Sequence, residues 1–304
     1  MRIIYTTEDY RYMREELLKS GAKLAKGDTE RAAFPDGETY RRVKDKTAGH
    51  HCIILAGLQS DSNFMEVCEL SQYLVEHDAK KLTIIIPYFG YSTMERATKS
   101  GELVKAKYRC DMLSRLPRAS YGNRIVMMDL HADQMIHYFH GLTTYHIDNR
   151  NIVIKAASDM VQGPYVIAAT DVGRAKHIEY LARLSNMEPA YVYKRRDSGT
   201  QTEVTGANCD VKDKDVVIYD DMIRSGGSLM KAAEIYKNLG AKRIFVATTH
   251  VPMRGGVEKL IANPIIEKVS IMNTTPVANE IAKEYPDKIN LYSVVNNIVE
   301  WMKY

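Results

Sequence analysis

Short apolar runs recur along the chain, each ending in polar or glycine-bearing positions and followed by a stretch with helical spacing. The runs at 53–56, 82–87, 124–130, 165–170, 191–193, 216–219, 244–249 and 289–294 read as strands. The stretches 63–76, 175–185 and 228–239 read as helices between them. Continuous apolar strands alternating with helices predict an α/β fold of mainly parallel sheets flanked by helices. Ligands in such sheets gather beyond the carboxyl ends of the strands, so the loops that follow strands are the places to look for chemistry.

At 304 residues the chain is long for one core, and two domains are expected. The polar break Asp148-Asn149-Arg150-Asn151 suggests a division into 1–148 and 149–284, with a tail from about 285 to 304 packing back on the first part. No residue-level repeat or low-complexity segment is evident. Composition adds mainly exclusions. A net charge of +4, with basic residues scattered rather than clustered, argues against nucleic acid as a partner and suits a pocket for polyanionic small molecules. Cys52, Cys68, Cys110 and Cys209 lie far apart, without CxxC or Cys/His metal spacing, and are expected to stay reduced. No run approaches the ~18 apolar residues of a membrane helix, and the first twenty residues carry Glu8, Asp9, Glu15 and Glu16 without an apolar core. A cytoplasmic protein with no membrane partner is expected.

The densest chemical signal is Val216-Val217-Ile218-Tyr219-Asp220-Asp221-Met222-Ile223-Arg224-Ser225-Gly226-Gly227-Ser228. An apolar strand runs into an acidic pair, a small-residue loop and a helix start. Gly226 and Gly227 let the backbone approach an anion. Ser225 and Ser228 add hydroxyl donors, and Ser228 can cap the helix. First-turn N–H groups and the helix dipole favour a phosphate. Asp220 and Asp221 can accept hydrogen bonds from vicinal ribose hydroxyls. A glycine turn with an N-cap serine is the bland alternative, and the acidic pair after an apolar run argues against it.

This loop resembles the ribose-phosphate loop of type I phosphoribosyltransferases. Further blocks narrow the resemblance to ribose-phosphate diphosphokinases: Phe34-Pro35-Asp36-Gly37-Glu38, Pro87-Tyr88-Phe89-Gly90-Tyr91, Asp129-Leu130-His131-Ala132-Asp133-Gln134, Lys194-Arg195-Arg196 and Asn273-Thr274-Thr275-Pro276. The resemblance implies two phosphoribosyltransferase-like, Rossmann-like domains in a homo-oligomer. It implies Mg²⁺-dependent transfer of diphosphate from ATP to the anomeric hydroxyl of a ribose phosphate, with release of AMP. By the same resemblance Lys194 and Arg196 match the basic pair of a mobile catalytic loop, and the polar stretch 197–205 follows them. Asp171, Gly173 and Arg174 fall in the stretch that corresponds to the family's diphosphate loop. His131 and Asp171 match metal-associated positions, although Mg²⁺ prefers the oxygen of Asp171. His137 and His140 lack companions for a zinc site. Phe34, Asp36 and Glu38 match a loop that holds the adenine of ATP, Phe34 by stacking.

The chain departs from the family pattern at ligand-facing loops. Ser92-Thr93-Met94-Glu95 stands where the family carries ATP-contacting Arg and Gln, leaving Arg96 as the candidate replacement in the ATP site. Gly101 replaces a regulatory arginine. Arg174 replaces a glycine, His177 a later arginine, and Arg224 an aspartate. Two added arginines at anion-binding loops leave the acceptor open between ribose 5-phosphate and an extended ribose such as ADP-ribose. A non-catalytic regulatory subunit is the alternative from another class. An ordinary phosphoribosyltransferase leaves the amino-terminal half unexplained.

Overall fold

The computed structural model describes residues 1–196 and 202–303. The chain divides into two compact units, residues 1–148 with 295–304, and residues 149–294.

In the first unit, β1 (Arg2–Thr6) passes through a 3-10 turn (Glu8–Tyr10) into α1 (Arg11–Lys19) and β2 (Ala25–Lys26). A hairpin follows, β3 (Thr29–Ala33) with β4 (Thr39–Val43). The chain then runs β5 (His51–Leu55), α2 (Asp61–Glu76), β6 (Lys81–Ile86), α3 (Lys105–Ser114), β7 (Asn123–Met128) and β8 (Thr143–Ile147). The sheet order is β2-β1-β5-β6-β7-β8, every pairing parallel.

In the second unit, α4 (Arg150–Met160) precedes β9 (Val166–Ala169), which passes through a 3-10 turn (Val172–Arg174) into α5 (Ala175–Ser185) and β10 (Glu188–Ala190). A hairpin again follows, β11 (Val192–Arg196) with β12 (Thr202–Ala207). The remainder is β13 (Asp215–Met222), α6 (Gly227–Asn238), β14 (Arg243–His250), α7 (Arg254–Ala262), β15 (Ile266–Met272), α8 (Pro276–Glu284) and β16 (Ile289–Tyr292). The order β10-β9-β13-β14-β15-β16, all parallel, repeats that of the first sheet strand for strand. In both units an antiparallel hairpin interrupts at the same point, after the second strand. The architecture therefore repeats where the residues do not.

The central strands are buried on both faces, in keeping with their largely apolar runs. Helices cover them through apolar stripes, for example Ile178, Leu181 and Ala182 of α5. Each unit has its own core, one around Ile54, Ile84 and Ile125, the other around Ile218, Val246 and Ile271.

Four expectations change. The strand expected over 216–219 extends to Met222, so the acidic pair lies on β13 rather than after it. Ser228 does not cap α6: Gly226 holds the cap position at φ +75°, with no side-chain cap. Part of the expected loop 197–205 is strand β12, whose Thr202, Val204 and Thr205 are β-branched. The return of the chain begins at Val295 rather than about 285, because β16 pairs in register with β15 and stays in the second unit.

Candidate functional site

At the carboxyl end of β13 three side chains meet. Arg174 Nε lies 2.8 Å from Asp220 Oδ1, and Arg174 Nη2 lies 2.5 Å from Asp221 Oδ1. The three side chains are only 20%, 16% and 6% exposed. β13 and β9 are neighbouring parallel strands, so the loop after β9 delivers Arg174 beside the acidic pair. Asp171 shapes that loop by accepting the Gly173 N–H at 2.9 Å. Burial pushes the Asp220 carboxyl up, to about 7, with the Asp221 charge adding to it and Arg174 working against it. For Arg174 burial opposes the charge, and the Coulomb pull of Asp221 and Asp220 overcomes it, leaving the guanidinium pKa raised. His177, where the resemblance calls for arginine, stacks on Tyr219 with ring centroids 5.3 Å apart.

The chain then turns from β13 into α6. The Ile223 N–H donates to the His250 carbonyl at 2.9 Å, pinning the loop to the end of β14. Gly226 takes a left-handed conformation, and a Cβ there would stand 2.8 Å from the Gly256 carbonyl oxygen. A Cβ on Gly256 would in turn strike the Arg224 carbonyl. Backbone thus packs on backbone, and Gly256, inside α7, was not among the residues singled out from the sequence. The glycine pair Gly255-Gly256 inside a helical stretch is the signal that could have found it. Arg224, Ser225, Gly227 and Ser228 are exposed around the uncapped start of α6. Beside Ser225 and Gly227 opens a groove of about 560 Å³, reaching Met230, Lys259 and Pro264.

The Asn273–Pro276 block has a different place from the ligand-facing loops. Thr274 Oγ1 donates to the Thr249 carbonyl at 2.9 Å and meets His250 Nδ1 at 2.9 Å, while Thr275 Oγ1 donates to the Val251 carbonyl at 2.6 Å. All four of Thr249, His250, Thr274 and Thr275 are buried. The block is a buried bracket between the ends of β14 and β15.

In the first unit, the loop of the β3–β4 hairpin carries Phe34, Asp36 and Glu38. Gly37 takes φ +94°, Asp36 accepts the Glu38 N–H at 3.0 Å, and the half-exposed Phe34 ring makes a T-shaped pair with Tyr40. Arg96 is 75% exposed with its Nε 3.4 Å from buried Glu95. Sequence reading missed α3, and with it Arg109 and Lys105. The Arg109 guanidinium lies over the Phe64 ring and pairs with Asp61, and Lys105 sits over the Tyr91 ring. Tyr91 donates to Asp61 at 2.8 Å from a left-handed backbone of φ +63°. His131 follows β7 and is half-buried, beside Leu130, whose N–H donates to His146 Nε2 at 3.1 Å.

His131 belongs to the first unit and Asp171 to the second. Lys194 and Arg196 lie on β11; their side chains, and residues 197–201 of the polar stretch after them, lie outside the described residues. Among the described residues no three His, Cys, Asp or Glu side chains converge as metal ligands. No described helix is long and apolar enough to cross a membrane.

Residues 3–116 match the family model for the N-terminal domain of ribose phosphate pyrophosphokinase, and residues 194–303 that for the phosphoribosyl synthetase-associated domain. The chain is 31% identical over 287 residues to a ribose-phosphate pyrophosphokinase of Pyrococcus furiosus, covering 90% of this chain and 99% of that one. The chain belongs to the ribose-phosphate pyrophosphokinase family. A ribose-phosphate pyrophosphokinase of Haemophilus ducreyi is 30% identical over 285 residues, covering 91% and 87% of the two chains. A solved phosphoribosylpyrophosphate synthetase from Mycobacterium smegmatis shares the fold, with a TM-score of 0.86 at 23% identity over 99% of this chain and 97% of that one.

Proposed function

We propose that this chain transfers the diphosphate of ATP to the anomeric hydroxyl of a ribose phosphate, giving AMP and a ribosyl 1-diphosphate. The observation that carries the reading is the loop between β13 and α6. Its helix starts at a left-handed glycine with no side-chain cap, so first-turn N–H groups face an exposed, hydroxyl-bearing loop. Those donors suit the acceptor's 5-phosphate, and Asp220 and Asp221 suit its vicinal hydroxyls. The acceptor oxygen attacks the β-phosphorus, the bond to the α-phosphate oxygen breaks, and AMP leaves. Positioning and charge neutralisation supply most of the acceleration. Lys194 and Arg196 would neutralise charge growing on the transferred group. Half-exposed Phe34 suits stacking on adenine, with Asp36, Glu38, Arg96 and His131 on the ATP side, and self-association is part of this reading.

Mg²⁺ fits the donor set when substrate phosphates and waters supply the remaining ligands. It commonly binds through one or two carboxylates plus substrate phosphates while keeping its waters, and Asp171 offers such a carboxylate. When bound, the ion would neutralise the nucleotide's phosphate oxygens.

A second acceptor is favoured by one observation. The groove beside Ser225 and Gly227 has room beyond a single phosphate, with Lys259 for a second phosphate and Met230 and Pro264 for an apolar ring. That suits an acceptor such as ADP-ribose. Purified protein with ATP and Mg²⁺ is tested with ribose 5-phosphate and with ADP-ribose, and products are weighed by mass spectrometry. AMP with a diphosphorylated ribose 5-phosphate supports the first acceptor, and a diphosphorylated ADP-ribose the second. No AMP with these or any other plausible acceptor supports the non-catalytic subunit instead.

A further inference from the structure

Two neighbouring carboxylates turned onto one point are an arrangement that a divalent cation can take through oxygen. Here a guanidinium stands at that point. Arg174 reaches Oδ1 of both Asp220 and Asp221, and all three side chains are largely withdrawn from water. The arm that carries it is fixed at its root. Asp171 holds the Gly173 N–H, and Tyr236 of α6 donates to the carbonyl of Ala169, the last residue of β9, at 2.9 Å. A guanidinium keeps its charge at any working pH, and its planar fork can bridge two carboxylates that a point charge would hold less specifically. Removing it would leave two buried carboxylates with their countercharge gone, which is strongly unfavourable.

We propose that Arg174 is the resident counter-cation of the Asp220–Asp221 pair. It is a positioning residue: it sets the two carboxylates as hydrogen-bond acceptors for a sugar diol and keeps divalent metal off them. Metal used in the reaction is then carried by the nucleotide's phosphates rather than by this pair. The diol half rests on the acceptor reading above; the exclusion of metal does not.

The test is Mn²⁺ uptake by the full chain, followed by electron paramagnetic resonance with neither nucleotide nor sugar present. Wild type and Asp221→Asn are expected to take up Mn²⁺ equally. Arg174→Gln is expected to gain one site per chain, at least about tenfold tighter than any in the wild type, and the added Asp221→Asn change is expected to remove it. Arg174→Lys, which keeps the charge, is expected to behave as wild type. An Arg174→Gln protein that folds and gains no Mn²⁺ would overturn the proposal. So would wild-type uptake that falls in Asp221→Asn, a comparison that decides the matter even if Arg174→Gln does not fold. Because no substrate is present, a negative result here leaves the acceptor reading standing, and failed turnover with both acceptors leaves the exclusion of metal standing.

Discussion

In the first unit β5 leads through residues 56–60 into α2, and Ser60 Oγ accepts the Asn63 N–H at 3.1 Å, closing the helix start with the protein's own side chain. Gly57 packs against buried Tyr10, whose hydroxyl accepts from Gln59 at 2.9 Å. In the second unit β13 occupies the same place in the same strand order and leads into α6, which no side chain caps. Tyr10 has its counterpart in Arg174: both end the 3-10 turn after the unit's first strand. One reaches the glycine loop with an aromatic ring, the other reaches two carboxylates with a charge. A shared scaffold thus carries a helix start closed by its own side chain in one unit and a helix start that no side chain caps in the other. What separates them is where the orphan N–H groups of a helix start are spent.

The comparison breaks most severely at the glycine turn. Gly226→Val puts a branched side chain into a left-handed backbone and against the Gly256 carbonyl. Loss of acceptor binding is expected, with destabilisation of about 3 kcal/mol in chemical denaturation. Gly57→Ala in the first unit also clashes, with Tyr10, and should lower stability while leaving acceptor KM unchanged. Equal loss of acceptor affinity in both variants would dissolve the distinction. Next comes Asp221→Asn, which removes one partner of the largely buried ion pair with Arg174. Stability should fall by about 3 kcal/mol, and kcat/KM for the acceptor by about 100-fold, roughly 2.7 kcal/mol of transition-state stabilisation. A variant with wild-type kcat/KM would remove the pair from the site.

Smaller effects sharpen the contrast from the other side. Ser60→Ala removes a helix cap and should cost about 1 kcal/mol, with no change in acceptor KM. His51, at the start of β5, is pushed down to about 4 by burial and by Lys81, Arg2 and Arg124. The unfolded chain therefore binds the proton more readily between about pH 6.5 and 4. His51 contributes stability that is full above the unfolded pKa and is lost as pH falls through that window. Melting temperature should drop on acidification from 6.5 to 4, and His51→Gln should flatten part of the drop.

Much of the fold was legible because buried parallel strands are continuous apolar runs, and α5 was placed at its observed limits. β15 escaped because Glu267 and Lys268 interrupt its apolar run at the exposed end. The β3–β4 hairpin escaped because its strands are mostly solvent-facing and carry Arg31, Arg41 and Arg42. At the site, the glycine loop and acidic pair stood out by composition. That Arg174 lies across that pair could not be read from spacing, since Arg174 and Asp220 meet only through the register of β9 on β13. The same holds for Gly256, whose small size matters only where α7 meets the loop.

The central claim is that the uncapped start of α6 holds the acceptor's phosphate while the capped start of α2 does not. Backbone amide resonances of the ¹⁵N-labelled chain, followed during titration with ribose 5-phosphate, test it directly. The account predicts saturable downfield shifts at Gly227 and Ser228, with Asn63 unmoved. Shifts at Asn63 with none at Gly227 and Ser228 would contradict it.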